Sequence, residues 1–532
     1  MPAAKGARLK PWRPITAATR TAVLRCVAAA VSVAVVGGTA AACSVSPVLS
    51  PLTARAGSDI KRVTLRLPVA LTRAPSPAVS VLADGAPDVL TATFAGALFV
   101  TSPVVVIAAA DGSALPTAAR AARAAHAPLL LAVKVTPQLT TAVGRLHPRA
   151  VLAVGLPPAA AAALAARLRG VRVVTRAAGL PVTAAPAPLS RVAVLVSRGE
   201  TTPEITAVTV TAEAAGAAVV GVRGGDPRAD PAAIRVLARL RPLDVVGVGA
   251  QFGPATRLGS RLAVAETGRQ LPGGGQVMFP WRRLVALYGY PGTPGLGALG
   301  QQDLTASVAR AEQMAAAYQP LSSVPVVPAF EIIATVAEAS PGADGNYSYE
   351  SPVSSLLPWV SQAAAAGMYV ILDLQPGRAS LLAQAQLYES LLRLPDVGLA
   401  IDAEWKLQPG QKPLRQIGHV DIGEVNSVIG WLATLTARYH LPQKLLVLHQ
   451  FQLSMIAGEP DLDTSHDDLA IVVHMDGQGT PAAKQETWNA VTGAAPRGVY
   501  FGWKNFLVKD HPMLTPQQTM VNVPAPVMIS YQ

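Results

Sequence analysis

Cysteine is almost missing from this chain. Cys26 and Cys43 are the only two in 532 residues, which excludes a disulfide framework and leaves stability to a packed core. Charge is sparse too, at 14% against 51% apolar residues, so the chain is globular and not disordered. Its length suits two or three domains. Acids are wholly absent from residues 1–25, where Lys5, Arg8, Lys10, Arg13, Arg20 and Arg25 stand. The apolar run CVAAAVSVAVV follows, too short for a comfortable membrane span, and then the small residues of GGTAAACS. Basic, apolar and small segments in that order read as a secretory signal.

Within it, TAAACS resembles a bacterial lipobox, with Ala40 where Leu is commoner. The resemblance implies a signal peptide over 1–42, lipidation of Cys43 and a Pro/Ser-containing tether over 43–60. The protein would then be anchored at the extracytoplasmic face of a cell membrane. Simple secretion and a retained helical anchor are the alternatives. Cys26 leaves with the signal. Net charge then splits along the chain. Residues 43–283 carry 26 Lys and Arg against 11 Asp and Glu, whereas 284–532 carry 12 against 21. The asymmetry points to two domains with different partners. Outside a membrane, the basic half suits anionic wall polymers or lipid headgroups and argues against nucleic acid.

Over 61–271 short apolar runs such as SPVVVIAAA, APLLLAVKV, RAVLAVGL and RVAVLVSRG alternate with Ala/Arg/Leu-rich helical patterns. This rhythm predicts a parallel, Rossmann-like α/β module covered on both faces. Residues 103–155, with APLLL and AVLAVG, resemble the type 2 cell-wall-binding repeat of Gram-positive surface proteins, which implies attachment to anionic wall polymers. GVRGGDP lacks the GK[ST] of a phosphate loop and reads as a turn.

PGGGQVMFPWRR at 272–283 reads as a linker. After it come eight strand-like runs, at 284–291, 324–333, 368–377, 397–405, 444–451, 469–477, 498–505 and 527–532, with helical patterns between several of them. Eight strands in this span predict an α/β fold of (β/α)8, TIM-barrel type over 284–532, without a final helix. Such barrels build their sites at the carboxyl ends of the strands. Glu331 ends the second strand, Asp373 and Gln375 the third, Asp402 and Glu404 the fourth, and His449 the fifth. His474 and Asp476 end the sixth, Trp503 or Lys504 the seventh, and Tyr531 the eighth. Residues two apart on a strand share a face, so Asp402 and Glu404 should stand together.

The first strand lacks the His-x-His of zinc amidohydrolases, and no Gly-rich phosphate turn follows the seventh. No metal or other cofactor is expected from the ligand spacing. Paired acids with Tyr288, Tyr290, Trp405, Phe451 and Trp503, which could stack on sugar rings, fit glycoside hydrolysis. VGLAIDAEW resembles the DGxDxDxE strand of chitinase-like glycoside hydrolases of family 18, and HMDGQG resembles that family's M-x-Y-D segment. The resemblance implies that Glu404 protonates the glycosidic oxygen, while Asp402 and Asp476 tune it and orient an N-acetyl group acting as nucleophile. Val397, Ala400 and Met475 depart from the family pattern, and VMISYQ lacks its Trp. Family 25 lysozymes also carry Asp-x-Glu on a barrel strand. As a whole the chain resembles uncharacterised actinobacterial lipoproteins.

The expected catalytic set is Glu404, Asp402, Asp476 and Asp373. Glu331, Tyr288, Trp405, His449, His474, Trp503 and Tyr531 are expected to bind substrate, an envelope polysaccharide with N-acetylated sugars. A noncatalytic glycan-binding lipoprotein is one rival reading. A metal-dependent hydrolase using His449, His474 and Asp476 is another. DLDTSHDD at 461–468 reads as a solvated acidic turn, since it lacks the Gly and closing Glu of an EF-hand loop.

Overall fold

A computed structural model describes residues 66–83 and 85–532. The expected signal, tether and Cys43 lie outside the described residues. Among the described residues no helix is long and apolar enough to cross a membrane.

The α/β alternation of the first half builds two parallel four-stranded sheets instead of one. Its elements are β1 (Val79–Leu82), α1 (Pro87–Leu98), β2 (Val104–Ala109), α2 (Leu115–Ala124), β3 (Leu129–Ala132), α3 (Pro137–Arg145), β4 (Ala150–Val154), α4 (Pro158–Arg167) and β5 (Arg172–Val174). Then follow β6 (Val192–Ser197), α5 (Pro203–Ala214), β7 (Ala218–Val222), α6 (Pro231–Leu240), β8 (Asp244–Val248) and α7 (Ala255–Ala265). One sheet has the order β3-β2-β4-β5 and the other β7-β6-β8-β1. In each, the second strand of the unit lies on one side of the first and the third on the other. β1 crosses from before the first unit to complete the second. The strands read as unbroken apolar runs because both faces are covered: Val105 and Ile107 of β2 enter one core, Val104, Val106 and Ala108 another. Thr136, Thr202 and Asp230 cap α3, α5 and α6 by accepting backbone N–H groups.

The segment expected as a linker is instead built into the core. Met278 and Phe279 are buried among Ala286, Tyr369, Ala400, Val447, Val472 and Met528, inward-facing residues of the barrel's amino-terminal half. Gly273, Gly274 and Gly275 all have φ between 76° and 89°, the region glycine enters without strain. They fold the chain into a turn around the buried Arg282, whose guanidinium donates to the carbonyls of Met278, Gly274 and Val277. Gly and Pro gave this stretch its linker-like look, yet they serve a tight buried turn.

The barrel is closed and wholly parallel. Its strands are β9 (Arg283–Gly289), β10 (Val326–Ala337), β11 (Tyr369–Leu374), β12 (Val397–Asp402), β13 (Lys444–Gln450), β14 (Leu469–Met475), β15 (Tyr500–Asn505) and β16 (Met528–Tyr531), with β9 paired to both β10 and β16. Helices α8 (Leu304–Tyr318), α9 (Val353–Ala365), α10 (Leu381–Leu387), α11 (Glu389–Leu392), α12 (Ile422–Arg438), α13 (Pro481–Ala494) and α14 (Pro516–Met520) lie between strands. Two short 3-10 turns replace a helix between β13 and β14.

Alternation along each strand sorts the core. Outward residues such as Val285, Phe330, Leu372, Leu399, Leu448 and Ile529 pack in the core shared with the helices. Inward residues are apolar low in the barrel and polar at its carboxyl end. Apolar layers that include Ala286, Ile371, Ala400, Val447, Val472 and Met528 therefore support a layer of acids, histidines, a tyrosine, a serine and a lysine.

The acidic turn at 461–468 is only partly solvated. Asp463 accepts from the Ser465 backbone and hydroxyl. Asp467 instead takes the guanidiniums of Arg228, at 2.7 Å, and Arg261, at 2.8 Å. These pairs tie the sheets of the first half to the barrel.

Candidate active site

The polar layer follows from register. In the parallel ladders Tyr288 lies beside Glu331, Asp402 beside His449, and His449 beside His474. Asp373, Lys504 and Ser530 share the same inward parity on β11, β15 and β16. Gly502 makes room at one point: a Cβ there would stand 2.5 Å from the His474 ring.

His449 is the hub. Its Nε2 lies 3.0 Å from Glu331 Oε1 and 3.8 Å from Asp373 Oδ1, and its Nδ1 lies 3.2 Å from Asp476 Oδ2. Burial alone would lower its pKa, but the carboxylates of Glu331 and Asp476 outweigh burial and hold it well above the usual value. With Glu331 bonded at Nε2 and the Asp476 carboxylate beside Nδ1, the surroundings favour the charged ring. His474 is its opposite. Burial, then the charge of His449, pushes its pKa well down, and its Nε2 pairs with the Ser530 hydroxyl at 3.1 Å. Tyr288 donates to Asp373 Oδ2 at 2.9 Å and accepts from Gln375 at 3.1 Å.

Five carboxylates cannot all ionise cheaply in so small a space. Burial pushes Asp373 up to about 6, against the pull of His449. Burial, then Asp373 and Glu404, raises Asp402 well above its usual value. Glu404 is pushed up to about 7 by burial and then by Asp476, while Lys504 opposes the shift. Asp402 and Asp476 each keep one buried oxygen without a hydrogen-bond partner among the described residues.

Above this layer opens a cavity of about 470 Å³. Glu404, Asp476, Lys504 and Lys509 face it together with Tyr288, Trp405, Phe451 and Phe506. Glu404 reaches it because β12 ends at Asp402 and residues 403–405 turn into a single 3-10 turn. The expected strand pairing of Asp402 and Glu404 is thus replaced by a turn, which still keeps them close. One oxygen each of Asp402, Glu404 and Asp476 lies within 4.8 Å of the others.

The same three oxygens form the described cluster able to hold a cation, and an all-oxygen set would favour a hard one. The histidine-based alternative does not assemble. His474 is engaged with Ser530 and His449 with carboxylates on both sides.

Nine expected residues meet at this end of the barrel: Tyr288, Glu331, Asp373, Asp402, Glu404, Trp405, His449, His474 and Asp476. Trp503 and Tyr531 do not. Trp503 faces outward, fully buried, with its ring 5.4 Å from that of Trp488, and Tyr531 shares a 2.6 Å hydrogen bond with Tyr318 of α8. The inward positions are one residue away, at Lys504 and Ser530, because a shift of one along a strand changes its face. Sequence reasoning missed Ser530, Phe506 and Lys509, although strand alternation from Met528 would have found Ser530. No family model, no curated protein and no solved structure matches this chain.

Proposed function

We propose that this protein is an envelope-anchored glycoside hydrolase, held at the membrane by a lipid on Cys43 and at the wall by its basic α/β half. Its barrel binds and cleaves an envelope polysaccharide containing N-acetylated sugars. One observation carries the reading. Glu404 opens onto an aromatic-lined cavity with its pKa pushed up to about 7, and Asp402 and Asp476 stand beside it. A carboxyl that keeps its proton near neutrality can give it to a glycosidic oxygen.

In this mechanism the sugar rings stack on Trp405 and Phe451, which places the glycosidic oxygen against Glu404. Glu404 protonates the leaving oxygen. Asp402 and Asp476 stabilise the positive charge that develops on the ring, and the N-acetyl carbonyl of the substrate attacks the anomeric carbon. Water then opens that intermediate, and Glu404 takes back the proton. His449 holds Asp476 and Glu331 in place without touching the sugar.

The test uses purified wall glycan and the full chain. Release of reducing ends by the wild type, falling by about 10²–10⁴-fold in Glu404→Gln with binding retained, supports the reading. Binding without any turnover by the wild type would make the barrel a glycan-binding module. Activity lost to a chelator and restored by manganese or zinc would replace it with a metal-dependent hydrolase.

A further inference from the structure

Lys504 is 2% exposed. Its ammonium lies 3.6 Å from the centroid of the Tyr288 ring. Among the described residues it makes no ion pair and no side-chain hydrogen bond, although Lys504 borders the cavity. The nearby Lys484, by contrast, is fully satisfied: its ammonium donates to Asp510 at 2.5 Å and to the Lys504 carbonyl at 2.6 Å. An ammonium held at a cavity wall without a protein acceptor is open to one supplied by a ligand. Of the carboxylates around it, Asp373 accepts from Tyr288 and Asp476 lies 3.2 Å from His449, and each keeps a second oxygen without a hydrogen-bond partner among the described residues.

Lys509 supplies a second cation at the same opening. The two ammoniums lie 5.4 Å (Lys504) and 5.8 Å (Lys509) from the centroid of the Phe506 ring. Both lysines line the cavity, together with Glu404 and Asp476. A ligand seated there meets acids and two cations.

We propose that Lys504 and Lys509 bind a carboxylate carried by the substrate, so that the sugar in the cavity is an acidic one. This deepens the proposed function and rests on it. Within the proposed glycan, a sugar carboxylate is the anionic group these ammoniums can pair with through charge-assisted hydrogen bonds. Lys504 thus acts in specificity, and Glu404 in bond cleavage.

The probe is a tetrasaccharide of alternating glucuronate and N-acetylglucosamine, compared with its carboxyl-reduced, neutral counterpart. Calorimetry on full-length Glu404→Gln measures binding without turnover. The acidic sugar is expected to bind at least ~10-fold tighter than the neutral one, a gap that corresponds to one charge-assisted contact. Adding Lys504→Met should remove that gap, Lys504→Arg should restore most of it, and Lys509→Ala should narrow it. The arginine variant separates lost charge from lost folding. Equal binding of both sugars, or a gap that survives Lys504→Met, overturns the acidic preference and leaves the glycan reading standing. Failure of both sugars to bind overturns this proposal, and, if wall glycan is not cleaved either, the glycan reading falls with it.

Discussion

Lys444 opens β13 fully buried, with its ammonium donating to the carbonyls of Leu394 and Val397. Burial pulls its pKa down to about 7, although Asp396 opposes the shift. Between pH 7 and 10 the folded protein therefore binds fewer protons here than the unfolded chain, and stability rises with pH over that window. Asp373 and Glu404 work the other way. Their raised values mean that the folded protein binds more protons between about pH 4 and 7, so ionising them costs stability as pH rises. Denaturant titrations across pH test both signs. Lys444→Met should flatten the rise between pH 7 and 10, and an unchanged slope would show that the burial cost lies elsewhere.

At the scale of the element, strand alternation decides which side chains can act. Trp503 and Lys504 are neighbours on β15, yet one packs against Trp488 behind the sheet and the other borders the cavity. Trp503→Phe loses packing volume and the 2.9 Å hydrogen bond from Nε1 to Asn505. It should cost about 1–3 kcal/mol by chemical denaturation and leave glycan affinity unchanged. A loss of affinity at constant stability would return Trp503 to the binding surface. The barrel strands were legible in sequence because each apolar run ends in polar residues at a similar point. The acids, His449 and His474 could be read from those ends. The facing of Trp503 and Tyr531 was not, because on each strand an aromatic residue stands next to the position in phase with Gly502 or Met528. In the first half, unbroken apolar strands carry no such phase, so nothing marked two sheets in place of one. The turn at 272–283 was hidden for a different reason, since its glycines suit a flexible linker and a buried turn equally.

At the scale of the molecule, the α/β layers and the barrel share buried charge. Arg228 is 2% exposed between Asp226 and Asp467, and Arg261 reaches the same Asp467. Asp467→Ala leaves Arg228 with one carboxylate partner, Asp226, and should destabilise the chain by about 1–3 kcal/mol, an amount moderated by the partial exposure of Asp467. An unchanged denaturation midpoint would show that apolar contacts around Met278 and Phe279 hold the halves together instead. The same closed base leaves the carboxyl end as the open face of the barrel, where Glu404 delivers its proton in the proposed mechanism. The most direct measurement is the pH profile of reducing-end release from wall glycan, followed over pH 4–9. Turnover should fall as pH rises through about 7, where Glu404 loses its proton. A descending limb at the ordinary glutamate pKa, or activity that survives in Glu404→Gln, would contradict it.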